Sequence, residues 1–279
     1  MDTITFKVRR AEDQSTLIDY VARHLKISKR ATKAILDRRN ISVNGQRVWI
    51  AKHILIVGDE IQILTEAIKP ANSPKKKIDI LFRDNDYIIA NKPSGILACG
   101  KSSLETRLRA QLKAPNLQAV HRLDRDTSGC LMFALSDSAK DRMIECFRAK
   151  TITKVYHAIV HDHMKRGTST ISRPIGGQTA ISHVRVLDTA SKAAHVSVSI
   201  ETGRTHQIRI HLAAIRHPVL GDRKYAGGVR LENTLAEIPR QMLHAYSLSF
   251  NHPSNDQRIV VKAPPPQDFK ACLKKFKLK

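Results

Sequence analysis

Nine consecutive residues, His121-Arg122-Leu123-Asp124-Arg125-Asp126-Thr127-Ser128-Gly129, form the densest run of ionisable and hydroxyl side chains in the chain. They lead directly into an apolar strand signal, Cys130 to Leu135. Asp124 stands beside Arg122 and Arg125, and nearby positive charge favours the carboxylate form. Such a carboxylate could act as a nucleophile or a base, or could be half of a structural Asp–Arg pair. Asp126, Thr127 and Ser128 are short polar residues that bind nearby backbone and shape a turn ahead of Gly129. A second dense segment runs from Gly203 to Leu212, Gly-Arg-Thr-His-Gln-Ile-Arg-Ile-His-Leu, followed by His217-Pro218-Val219-Leu220-Gly221-Asp222. At helical spacing Gln207, His211 and Ile215 share one face, and His206 and Arg209 are neighbours three apart.

Several chemistries are excluded by spacing. His206 and His211 are five apart with no Glu between them, which is not the H-E-x-x-H zinc pattern. They read as hydrogen-bonded structural groups, and His161-Asp162-His163 as a polar loop rather than a metal site. Leu123 separates Arg122 from Asp124, no D-F-G follows and no G-x-G-x-x-G precedes, so a kinase catalytic loop is absent. There is no Walker A sequence, and Gly176-Gly177 and Gly227-Gly228 stand alone, so nucleotide cofactors have no support. Cys99, Cys130, Cys146 and Cys272 are widely spaced without a C-x-x-C, as expected of reduced thiols in a cytoplasmic protein. Neither a metal nor a cofactor is expected.

The 279 residues include 48 Lys plus Arg against 25 Asp plus Glu, a formal net charge of +23. Charge of this size points to a polyanionic partner, nucleic acid first. No apolar run reaches the roughly 18–20 residues of a spanning helix, and Met1 to Lys7 lacks the apolar core of a signal peptide. Membrane association is therefore not expected, and a monomer bound to RNA is.

The elements that must position the dense segments divide at Lys69 to Lys77, where two prolines and a basic run read as a linker. Domains are expected over 1–68 and 78–279. Residues 1–74 carry +5 and residues 75–279 carry +18. In the first part Leu17, Ile18, Val21 and Leu25 recur at helical spacing behind a possible Ser15 cap. Ser28 is placed to cap a second helix with Ala31, Ala34, Ile35 and Leu36, which also bears Lys29, Arg30, Lys33, Arg38 and Arg39. Ile41 to Val43, the Asn44-Gly45 turn and Arg47 to Ile50 read as a hairpin, and Glu60 to Leu64 as a further strand. In the second part strands are expected at Tyr87–Ala90, Cys130–Leu135, Val155–Val160, His183–Leu187, Ala194–Ile200 and Ser247–Asn251. Helices are expected at Ser103–Leu112, Ser136–Lys150 and Thr205–Ile215. Strands and long helices do not alternate strictly, so the fold class is α+β with a mixed, mainly antiparallel sheet and flanking helices.

The ordered motifs resemble those of the RluA family of pseudouridine synthases. The pattern H-R-L-D-x-x-T-S-G is met by residues 121–129, G-R-T-H-Q-I-R-x-H by 203–211, and H-P-x-x-G-D-x-x-Y by His217 to Tyr225. N-K-P-x-G is met by Asn91 to Gly95, K-x-Y-x-A by Lys154 to Ala158, and L-H-A-x-x-L-x-F-x-H-P by Leu243 to Pro253. The first part is similar to an S4 RNA-binding domain through Ile41 to Gly45 and Gly58 to Ile61, a likeness over about residues 14–66.

The resemblance implies isomerisation of uridine in RNA to pseudouridine without a cofactor. It implies Asp124 at the ribose, as nucleophile or as C2′ base, with Arg204 paired to it and Tyr156 stacked on the uracil. Arg122 would fill the space left by the extruded base, with His121, Thr127, Gln207 and Arg209 also against substrate. Lys29, Arg30, Lys33 and Arg38 would track phosphates. Large-subunit ribosomal RNA is the expected substrate and transfer RNA the alternative; a non-catalytic ribosome-assembly factor is the competing class. The sequence departs from the family pattern at Leu97–Gly100, His161–His163 and Gln178–Ser182, segments expected to bear on substrate choice.

Overall fold

The computed structural model describes residues 3–37, 40–65, 77–226 and 238–279. Arg38, and the expected linker up to residue 76, lie outside the described residues. The chain separates into two compact units, Met1–Lys76 and Lys77–Lys279.

In the first unit, β1 (Thr3–Lys7) is followed by α1 (Leu17–His24), α2 (Lys29–Asp37), β2 (Ile41–Val43), β3 (Gln46–Arg47) and β4 (Glu60–Leu64). The antiparallel sheet has the order β1-β4-β2-β3. Helix α1 is capped by Thr16, whose hydroxyl accepts from Asp19 N at 3.3 Å, and not by Ser15, whose hydroxyl donates back to Glu12 O. Ser28 caps α2 as expected, accepting from Ala31 N at 3.2 Å. The apolar face of α2 is narrower than its spacing suggests. Thr32, Ile35 and Leu36 are buried, while Ala31 and Ala34 are exposed with Lys29, Arg30 and Lys33. Leu17, Tyr20, Val21, Ile41, Val43, Ile61 and Ile63 complete this core. The Asn44-Gly45 turn is fixed by the Asn44 side chain, which donates to Asp59 Oδ1 at 2.8 Å and accepts from Glu60 N at 2.9 Å.

The second unit contains β5 (Ile80–Arg83), β6 (Tyr87–Lys92), α3 (Leu104–Leu112), β7 (Gln118–Ala119), β8 (Ser128–Ala134) and α4 (Asp137–Arg148). Then come β9 (Thr153–His161), β10 (Thr168–Ser172), β11 (Ile181–Thr189), β12 (Ala193–Ile200) and α5 (Gln207–Ala214). It closes with β13 (Leu243–Asn251), β14 (Arg258–Lys262) and α6 (Gln267–Lys275). The main sheet runs β10-β11-β12-β9-β13-β8-β6-β5, with β14 on β13 and β7 on β8. This is the α+β, mainly antiparallel arrangement expected. Strands β6 and β8 are apolar at successive positions because both faces are covered. Ile88, Ala90, Leu131 and Phe133 join the core holding α3, α5 and α6, whereas Tyr87, Ile89, Cys130 and Met132 face α4.

Among the described pairings one is parallel, β8 with β13, through His244 opposite Ser128 and Ala245 opposite Gly129. A parallel pair sets the starts of its two strands side by side. The polar segment before β8 therefore meets the residues before β13: Gln241 Nε2 donates to Thr127 Oγ1 at 2.8 Å and Arg240 Nη1 to Asp126 O at 2.9 Å. Gly129 permits the approach. Its φ is +112°, and a Cβ there would lie 2.2 Å from Ala245 O.

Candidate active site

Three elements converge on Asp124. Its own turn is closed by Thr127 N donating to Asp124 O at 3.1 Å and anchored inward by buried Leu123. Beneath it lies Lys92, fully buried at the end of β6, whose Nζ donates to the carbonyls of Pro93 (3.0 Å), Arg125 (2.8 Å) and Thr127 (2.8 Å). Burial pulls this amine down to about 7, while three carbonyl acceptors match the three donors of its ammonium form. The third element is the start of α5. Gln207 is buried there and ties four groups together: its amide oxygen accepts from Arg204 N and Thr202 Oγ1, and its nitrogen donates to Ile181 O and Ser182 Oγ. His211, one turn on, also meets Ser182 Oγ at 2.9 Å, as the shared helical face predicts.

The pairing expected between Asp124 and Arg204 is not made. Arg209 Nη1 donates to Asp124 Oδ2 at 3.0 Å, whereas Arg204 precedes the helix and turns its Nε to Thr179 O at 3.1 Å. Arg209 is buried and uses its other side on Asp222, with Nε to Oδ2 at 2.5 Å and Nη2 to Oδ1 at 2.9 Å. Burial works against the Asp222 charge, but Arg209 and the amides of Lys224 and Tyr225 outweigh it and hold its carboxyl below the ordinary range. Asp222 in turn fixes the guanidinium so that one edge points at Asp124. On the other oxygen of Asp124, His206 Nε2 stands 3.7 Å from Oδ1.

Asp124 opens into a cleft lined by Arg122, Thr127, Tyr156, Arg204, Gln207, Arg209 and neighbouring residues of the same segments. Tyr156 projects from β9, nearly buried, and burial followed by the charge of Asp124 pushes its phenol above the ordinary value. Arg122 is exposed and Thr127 buried, its hydroxyl engaged by Gln241. His121 is outside this lining. Its Nε2 accepts from Met132 N at 3.1 Å, its ring packs on Phe147, and burial lowers it to about 4, so it braces the turn instead of facing the cleft. His206, which its spacing suggested was a structural group, lines the cleft beside Asp124. Lys92, Asp222 and Tyr225 lie inside the family motifs, which were their signal, whereas Arg240 lies in none. Among the described residues no group of three or more His, Cys, Asp or Glu could hold a metal ion, and no helix is long and apolar enough to cross a membrane.

The sequence model of the RNA pseudouridylate synthase family matches residues 86–214, which span both dense segments. The chain is 34% identical over 296 residues to an uncharacterized RNA pseudouridine synthase, YhcT, of Bacillus subtilis, covering 96% of each. The chain belongs to the RNA pseudouridine synthases. A second relative of this family is ribosomal large subunit pseudouridine synthase D of Escherichia coli, 33% identical over 267 residues, covering 84% of this chain and 81% of that one. A similar solved structure is human RNA pseudouridylate synthase domain containing 4, with a TM-score of 0.61 and 26% identity over 72% of this chain and 94% of that one. As a pseudouridine synthase the chain is an isomerase of RNA uridine. The isomerisation breaks the bond from C1′ to N1, forms one from C1′ to C5, and moves a proton from C5 to N1. An anchored carboxylate beside an aromatic wall suits that balance of atoms.

Proposed function

We propose that this chain converts a uridine of large-subunit ribosomal RNA to pseudouridine, with Asp124 as the reacting carboxylate. The observation that carries this reading is the asymmetry of Asp124: Oδ2 is bound by Arg209, and no described residue makes a hydrogen bond within normal range to Oδ1. The substrate class rests on the likeness to ribosomal large subunit pseudouridine synthase D. Tyr156 supplies a face for the uracil, worth about 1–3 kcal/mol for a stacked base. Arg122 occupies the position the extruded base leaves. Arg209 replaces Arg204 as the partner of Asp124, and Arg204, exposed on the same cleft, contacts RNA. The reaction balances within the substrate, so no cofactor is required.

The first unit serves as an S4-like RNA-binding domain over residues 1–68, joined by a linker at 69–77 to the catalytic domain 78–279. Two helices ahead of the Asn44-Gly45 turn, and the exposed Lys29, Arg30 and Lys33, support this reading. The enzyme acts as a cytoplasmic monomer in ribosomal RNA processing. The test is in vitro: Asp124→Asn incubated with unmodified large-subunit RNA is expected to bind it with unchanged affinity and form no pseudouridine. Wild-type turnover by that variant would overturn the assignment.

A further inference from the structure

The two oxygens of Asp124 have partners of different strength. Arg209, a cation, holds Oδ2 at 3.0 Å, while His206 Nε2 waits 3.7 Å from Oδ1, near enough to act on it and too far for a formed hydrogen bond. The imidazole is held from behind, with Nδ1 2.9 Å from the Tyr225 hydroxyl. Tyr225 is itself fixed, its ring 5.0 Å from the Arg209 guanidinium.

The backbone at this position does not call for histidine. His206 begins α5 in the left-handed region, φ +58°, and its side chain makes no capping hydrogen bond. Glycine or asparagine would meet that conformation with less strain. What histidine contributes at this position is therefore its ring. Electrostatics also select its tautomer. A bare Nε2 lone pair facing the Asp124 carboxylate would be repelled, so Nε2 carries the hydrogen and Nδ1 accepts from Tyr225. Burial, the largest influence, disfavours the imidazolium; Asp124 and Asp222 favour it, and Arg209 and Lys224 oppose it.

We infer that His206 is a positioning residue for Asp124, a neutral N–H donor aimed by Tyr225 that closes on Oδ1 when RNA fills the cleft. A second cation would draw more charge from the carboxylate; a neutral donor on one lone pair of Oδ1 steadies it and leaves the other lone pair open to the ribose. This rests on the reading of Asp124 as the reacting carboxylate.

The test compares His206→Gln, His206→Asn and Tyr225→Phe, with Asp124→Asn as control. The probe is total RNA from cells lacking the gene, which contains the target uridine whatever its RNA class. Single-turnover rates against enzyme concentration separate the limiting rate from half-saturation. A Gln amide nitrogen reaches the Nε2 position and an Asn amide only the Nδ1 position. His206→Gln should stay within about 5-fold of wild type, while His206→Asn and Tyr225→Phe slow the limiting rate about 10- to 100-fold, the range of one charge-assisted hydrogen bond, with half-saturation unchanged. Melting temperatures report folding, and His206→Asn should melt no lower than wild type. His206→Asn as fast as His206→Gln would reduce His206 to a helix-start residue and overturn the inference, as would changes confined to half-saturation. If Asp124→Asn keeps wild-type turnover, the underlying reading fails; if it is inactive while the Gln and Asn variants match, the inference alone fails.

Discussion

Arg209 is the residue on which the site geometry depends most. Its guanidinium spans two carboxylates with three nitrogens, a job the point charge of lysine cannot do. Arg209→Lys is expected to lower kcat about 100-fold or more and to destabilise the fold by about 3 kcal/mol, as removing one partner of a buried pair does. Steady-state kinetics and urea unfolding check both. Arg204→Ala, which removes a hydrogen bond to Thr179 O, should alter KM and leave kcat within a few fold. The sequence displayed both arginines within one motif but could not say which faces Asp124. That choice is made by the helix beginning at Gln207, which turns Arg209 inward and leaves Arg204 outside. His121 carries a pH effect. Its folded value is about 4 against an ordinary 6.5, so between those values the unfolded chain binds a proton the fold refuses. Stability should fall as pH drops from about 6.5 to about 4, because protonating Nε2 breaks the bond from Met132 N. His157, also lowered by burial to about 4, adds to the same window. His121→Gln, which keeps an acceptor without the charge, should flatten part of this dependence in melts across that range.

At the level of elements, the strands buried on both faces were the most legible. β6 and β8 contain the continuous apolar runs Tyr87–Ala90 and Cys130–Ala134; β6 extends two residues beyond its expected end, β9 three beyond its expected bounds, and β8 starts two residues earlier and ends one earlier. β10 and β14 were not legible: Thr168–Ser172 is almost wholly polar, and Arg258–Lys262 alternates over only five residues. α6 was obscured by its lysines, although Phe269 and Cys272 pack into the core. Nor could the sequence reveal that β8 and β13 run parallel, since their contact joins residues more than a hundred apart. That pairing makes Gly129 irreplaceable. Gly129→Ala is expected to destabilise the second unit by about 3 kcal/mol or more, from positive φ together with the clash on Ala245 O. Calorimetry or urea unfolding would measure it, and a loss under about 1 kcal/mol would mean that β8 and β13 separate readily.

For the whole molecule, the net charge of +23 divides into +5 on residues 1–74 and +18 on the remainder. If the exposed face of α2 follows RNA, Lys29, Arg30 and Lys33 replaced together by Ala should weaken binding and reduce the salt slope by about 0.7 per lost phosphate contact on single strands. Arg30 and Lys33 should carry most of this, because Lys29 already pairs with Asp19 at 2.6 Å. Titrations at several salt concentrations provide the measurement, and an unchanged slope would exclude this helix from the RNA interface. In the proposed reading, charge of this kind supplies affinity and the carboxylate of Asp124 supplies the reaction. The most direct test is carbodiimide mapping of pseudouridine across total RNA from a deletion strain carrying wild-type or Asp124→Asn protein. A large-subunit ribosomal RNA site that vanishes on deletion, returns with wild type and stays absent with Asp124→Asn is the predicted result; its return with Asp124→Asn would contradict the account.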